Sequence, residues 1–169
     1  MSYNNVLISK IGKKQYINEK LISSFFIPFF IMFLSLILNY ILVFIVFKGG
    51  DWWILKGIDL PNNKLFTLSV GHPVVTNIVY SIVTSFFCGL SSSLGCAFSL
   101  IFKNKLYCYP ATFLVWYILS HLKNPLTILF QPFTEHDFNT IIPSFLISVT
   151  VFLVLIIAIY IYEVYHEKI

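Results

Sequence analysis

Four stretches of this 169-residue sequence carry no charged side chain, and they set what the chain can fold into. They cover residues 21–47, 65–102, 106–122 and 138–162, lengths of 27, 38, 17 and 25. A helix needs about 20 apolar residues to cross a hydrocarbon core of ~30 Å. The blocks therefore predict an all-α integral membrane protein with about four transmembrane helices, at residues 21–47, 74–102, 106–122 and 142–162, in a single transmembrane domain over residues 1–169. Composition agrees, with 58% hydrophobic and 11% charged residues, where an average soluble domain has about 25% charge. A soluble enzyme, a nucleic-acid-binding domain and a disordered chain are excluded. The first block is too long for the apolar region of a cleavable signal peptide, so it is expected to persist as a span.

The segments between blocks are punctuated by turn formers. Residues 1–20 hold Lys10, Lys13, Lys14 and Lys20 against Glu19, and Val6, Leu7, Ile8, Ile11 and Ile17 share one helical face. Either an N-terminal interfacial helix or a solvated tail fits. Pro28 should kink the first span, and Gly49-Gly50 should stop it. Trp52 and Trp53 suit an interfacial aromatic belt. Pro61-Asn62-Asn63 and Gly71-His72-Pro73 read as turns, and the apolar residues 65–70 between them should rest on the bilayer or on neighbouring helices. The third span is short and is expected to continue toward Asn124. Residues 125–137 are apolar and bracketed by prolines, which predicts an outer re-entrant or interfacial segment held against protein, since lipid would leave its backbone unsatisfied.

The second span has small residues at every fourth position. Gly89, Ser93 and Ala97 form one ridge, and Ser91, Gly95 and Ser99 another. Small residues let helix backbones approach closely in lipid, so Gly89, Ser93, Ala97 and Gly95 are the candidate helix-packing interface. Four spans put both termini on the side of the Lys103-Asn104-Lys105 turn. That side holds Lys10, Lys13, Lys14, Lys20, Lys103, Lys105 and Lys168, against Lys48, Lys56, Lys64 and Lys123 on the other. The positive-inside rule then makes both termini cytoplasmic in a multi-pass plasma-membrane protein.

The chemistry-bearing residues are sparse. There is no arginine, hence no bidentate anion clamp and none of the Glu/Arg pattern of membrane proteases that process prenylated proteins. There is no phosphate-cradling Gly-x-x-x-x-Gly-Lys-Ser/Thr loop. Cys88, Cys96 and Cys108 read as small buried residues. Glu163 and His166 have the i, i+3 spacing of carboxylate-bridged metal sites, and Glu135-His136-Asp137 form a second acidic group. Both read as solvated helix ends, so no metal or cofactor is expected. Gly89-Leu90-Ser91 with His121 resembles the Ser–His dyad of rhomboid proteases, but Ser92 stands where their motif has glycine or alanine. Asn39, Asn77 and several hydroxyls are expected to be buried. No polar stripe suited to a channel is evident, and no mid-span ionisable group marks an ion-coupled carrier. The expectation is a non-enzyme without catalytic residues.

Residues 74–133 resemble the membrane (permease) subunits of Gram-positive bacterial ABC exporters. The resemblance is carried by the Gly/Ser-rich run from Gly89 to Gly95, the Lys103-Asn104-Lys105 turn, Tyr107-Cys108-Tyr109-Pro110, and the proline-punctuated segment from Asn124 to Pro132. It implies a non-catalytic subunit of an ATP-driven exporter, pairing with a second membrane subunit and a separate ATPase. It also implies that Lys13, Lys14, Lys103 and Lys105 are candidate cytoplasmic docking residues. Permeases of this type have six spans where four are counted here. The alternative is a small accessory or bacteriocin-immunity-type protein that binds other membrane proteins. Neither reading involves nucleic acid.

Overall fold

The computed structural model describes residues 12–47, 64–102, 104–133 and 136–166. The first eleven residues, Gly49-Gly50, the Trp52-Trp53 belt, the turn at Pro61, Lys103 and Glu135 lie outside them. Among the described residues every regular element is helical: α1 Lys13–Val46, α2 Lys64–Gly71, α3 Pro73–Ile101, α4 Cys108–Ser120 and α5 Phe138–His166. Two short 3-10 helices, Lys105–Tyr107 and Leu126–Phe130, flank α4. Three helices, α1, α3 and α5, are long and apolar enough to cross a membrane, consistent with a membrane protein.

Helix α1 starts well before the first apolar block. Gly12 enters it at φ 83°, a left-handed conformation that glycine adopts without steric cost. No glycine or proline interrupts the next fifteen residues, and the exposed Gln15–Glu19 side-chain bond at 3.0 Å spans one turn. Residues 13–20 are thus the opening turns of the first span and not part of a separate interfacial helix. Pro28 removes one i to i−4 bond, yet the helix runs on to Val46.

The third expected span is not confirmed as one continuous helix. Helix α4 has 13 residues, about 20 Å at 1.5 Å per residue, short of a ~30 Å core. It is entered through the 3-10 turn, where Asn104 Oδ1 accepts the Leu106 N–H at 3.1 Å. It ends at Ser120 and does not reach Asn124. Pro125 disfavours helical backbone at the residue before it, and the chain then turns inward. Leu126, Ile128 and Leu129 are buried against α3, α4 and α5. Helix α5 begins at Phe138, four residues ahead of expectation, where Asp137 Oδ1 accepts the Phe138 N–H at 2.8 Å.

Side-chain pairs give the helix directions. Lys20 meets Ser99, Ser24 meets Ser93 and Phe25 meets Phe86, so α1 and α3 are antiparallel. Lys13, two turns before Lys20, pairs with Glu163 near the end of α5. Helix α5 therefore runs parallel to α3. The short α2 packs on the start of α3, where the Thr76 hydroxyl donates to the Ser69 carbonyl at 3.1 Å. The centre is mainly apolar: Phe87, Leu94, Ala97, Leu119, Leu126 and Phe152 are essentially inaccessible, with Ser85, Ser144 and Ser148 buried as well. From Phe30 to Phe47 the outward face of α1 is exposed, while Met32, Phe33, Leu36, Ile37 and Tyr40 are half-buried.

Candidate functional site

The small residues of α3 serve two different contacts. A Cβ on Gly89 would lie 2.9 Å from the ring and the backbone carbonyl of Phe25. One turn on, the Ser93 hydroxyl donates to the Leu21 carbonyl at 2.9 Å. Cys96 reaches the Lys20 carbonyl at 3.9 Å. Gly89 and Ser93 therefore face α1 of the same chain. Ala97 sits in the core. Gly95 faces α4 instead, where a Cβ would be 3.3 Å from Thr112 Oγ1.

Between these contacts a cleft of ≈ 820 Å³ opens beside α3, bounded by α4, the start of α1 and Phe130. Its faces differ in chemistry. Lys20, Ser99 and Lys105 border one end; Ser91 and Ser92 line the middle; Phe87, Trp116 and Phe130 close the other end. Ser99 and Thr112 already donate to the Cys96 and Cys108 carbonyls at 2.6 and 2.9 Å. The polar stripe missing from the sequence reading is present here. Thr84, Cys88, Ser91, Ser92, Gly95 and Ser99 all line the cleft, at spacings of three, four and seven that trace one helical face. Mild polarity hid it: Ser, Thr, Cys and Gly hardly interrupt a hydropathy profile.

Of the docking candidates, Lys14 is exposed and Lys105 borders the cleft. Lys13 is committed elsewhere, with Nζ 3.2 Å from Glu163 Oε1. Glu163 was expected to be a solvated helix end, but it is buried and ties α5 to the first turn of α1. The signal was available, because the expected topology puts the lysine-rich side and the end of the last span together. Glu163→Gln should cost about 1–2 kcal/mol, less than the about 3–5 kcal/mol for breaking a fully buried pair, because Lys13 keeps contact with water. A double-mutant cycle with Lys13→Met, read by thermal unfolding in detergent, should return a coupling of that size; no coupling would refute the latch.

His121 lies outside the cleft that Ser91 lines. It is exposed, with Nδ1 2.9 Å from the Tyr117 carbonyl. Among the described residues no group of three or more His, Cys, Asp or Glu is placed to hold a metal. Asn77 donates to the Pro73 carbonyl at 2.8 Å, whereas Asn39 is exposed on α1 and not buried as expected.

No protein-family model and no solved structure matches the chain. It is similar to the uncharacterized protein YybM of Bacillus subtilis (strain 168), with 41% identity over 167 residues, which cover 98% of this chain and 66% of that relative. The chain thus spans just under two thirds of the length of the curated relative it matches.

Proposed function

We propose that the chain is a non-catalytic, multi-pass membrane subunit of an ATP-driven exporter, pairing with a second membrane subunit and a separate ATPase. The observation that carries the pairing is on α1. Ser35 and Asn39, one turn apart, are exposed on the stretch of α1 from Phe26 to Val46, whose other outward residues are apolar. In hydrocarbon an unpaired amide is costly, and polar side chains on such faces bond across to a neighbouring helix. The exporter reading rests on the sequence resemblance over residues 74–133. The cleft supports it, because an amphipathic space beside α3 suits a half-pathway that a partner completes.

In this reading both termini are cytoplasmic. The parallel course of α3 and α5 supports a fourth crossing made by a broken element, α4 followed by Leu126–Phe130. Non-helical backbone at membrane depth is tolerated where protein covers it, and Leu126, Ile128 and Leu129 are buried.

The test is recovery of the tagged chain from its own host in mild detergent, with mass spectrometry of what accompanies it. An ATPase should be present in fixed stoichiometry, and Asn39→Leu should reduce recovery of the membrane partner at least fivefold. Recovery of a membrane partner without an ATPase would overturn the exporter reading in favour of an accessory or immunity-type protein, which the same α1 face would also serve.

A further inference from the structure

We propose that the cleft beside α3 binds an anionic amphiphile, with a phosphate head between Lys20 and Lys105 and an apolar chain running toward Phe87, Trp116 and Phe130. The argument begins with charge. Two ammonium groups border one end of the cleft, and no carboxylate lines it among the described residues. Among the described residues, the acids on neighbouring helices at that end stay out of the cleft: Glu19 is exposed and accepts from Gln15 at 3.0 Å, and Glu163 pairs with Lys13 at 3.2 Å. An anion is what the two lysines lack. Lysine is a flexible point charge that binds phosphate without the fixed fork of arginine. Lys20 already leans in, donating to Ser99 Oγ at 3.4 Å.

Depth supplies the second half. The lysines stand where α3 ends and α4 is about to begin, so the charged end faces the polar boundary of the bundle. The aromatic end lies further along α3 and α4, level with the buried centre. A head at the boundary and a chain directed inward repeat the orientation of a lipid in its own leaflet. Ser91 and Ser92 offer hydroxyls midway, where an ester or amide linkage would pass. The volume, ≈ 820 Å³, lies within the roughly 300–1,000 Å³ of ligand sites.

The same chemistry has two sources, a phospholipid of the surrounding bilayer or an amphiphile carried as cargo. Only the second depends on the exporter reading. Binding itself is a property of this chain alone, so it is tested apart from any ATPase.

The experiment uses the purified full chain in maltoside detergent, with dodecyl phosphate, dodecanol and inorganic phosphate as probes and native mass spectrometry as readout. Dodecyl phosphate should bind at least tenfold more tightly than dodecanol, and inorganic phosphate should not bind at millimolar concentration. The Lys20→Gln/Lys105→Gln double variant should lose at least tenfold in affinity, and Lys123→Gln, at the opposite end of α4, should lose none. A phospholipid that co-purifies one-to-one and leaves in the double variant would support the site with the bilayer as its source. Uptake of dodecyl phosphate into lipid-free chain would support it with cargo as the source. Equal binding of dodecanol and dodecyl phosphate by the wild-type chain overturns the proposal. So does undiminished binding in the double variant.

Discussion

Gly89→Leu is expected to push α1 away from α3 and to destabilise the bundle by about 3 kcal/mol or more, at the upper end of the range for overpacking. The reason is what a side chain would meet. A Cβ at this position lies 2.9 Å from the Phe25 ring and also 2.9 Å from the Phe25 carbonyl oxygen. A ring can rotate, but a backbone oxygen inside α1 moves only if the helix moves. Separation would also stretch the Ser93–Leu21 bond of 2.9 Å one turn away. Gly89→Ala should cost less, about 1–2 kcal/mol. Gly71, with nothing within 4 Å of its notional Cβ, should accept alanine within about 0.5 kcal/mol. Unfolding in detergent as a function of added SDS gives the comparison. A Gly89→Leu variant as stable as wild type would show that α1 and α3 are not in close contact.

Phe87→Ala should be the most damaging core truncation, for a reason specific to lipid. In water, Phe→Ala in a core costs about 3–5 kcal/mol, part of it the transfer of apolar surface out of solvent. Helices in lipid have no such transfer term between them, so packing remains. Phe87 has a large share of it. Its ring stands edge-on to Phe130, Phe145 and Phe152 at centroid distances of 5.8, 5.7 and 6.2 Å, and it joins α3, α5 and the Leu126–Phe130 turn. With edge-to-face pairs worth about 0.5–1.5 kcal/mol each, a loss of about 2–4 kcal/mol is expected. Phe44→Ala is the control: that side chain is 70% exposed and should cost under about 0.5 kcal/mol. Equal effects of the two variants in the SDS titration would mean that the aromatic cluster does not hold the bundle.

Much of this architecture is written in one dimension. Long charge-free runs fold into helices in an apolar medium because no other structure satisfies the backbone there, so α1, α3 and α5 follow from counting. The Gly71-His72-Pro73 turn is equally local: Pro73 opens α3 with His72 as its cap. The small-residue ridge of α3 was visible as a spacing, although its partner was not. Where the reading failed, the competing influences came from elsewhere in the chain. Residues 1–20 read as either a surface helix or a solvated tail, yet nothing in residues 13–20 ends a helix, and Lys13 has a carboxylate 150 positions away to meet. Residues 106–122 read as one continuous helix because they are apolar, but apolarity does not show that the helix stops at Ser120 and that the chain then turns in to bury Leu126 and Leu129.

The sequence by itself determined that the chain is helical and suited to a membrane, because periodicity and charge-free length are properties of single segments. Only the tertiary structure decided which residues meet. It sent Gly89 and Ser93 to α1 and Gly95 to α4. It left Asn39 facing outward, and it assembled a cleft from Lys20, Ser91, Lys105 and Phe130, residues drawn from four separate elements. Helix association in lipid is decided by shape and by a few polar contacts between segments, and those exist only once the helices are packed.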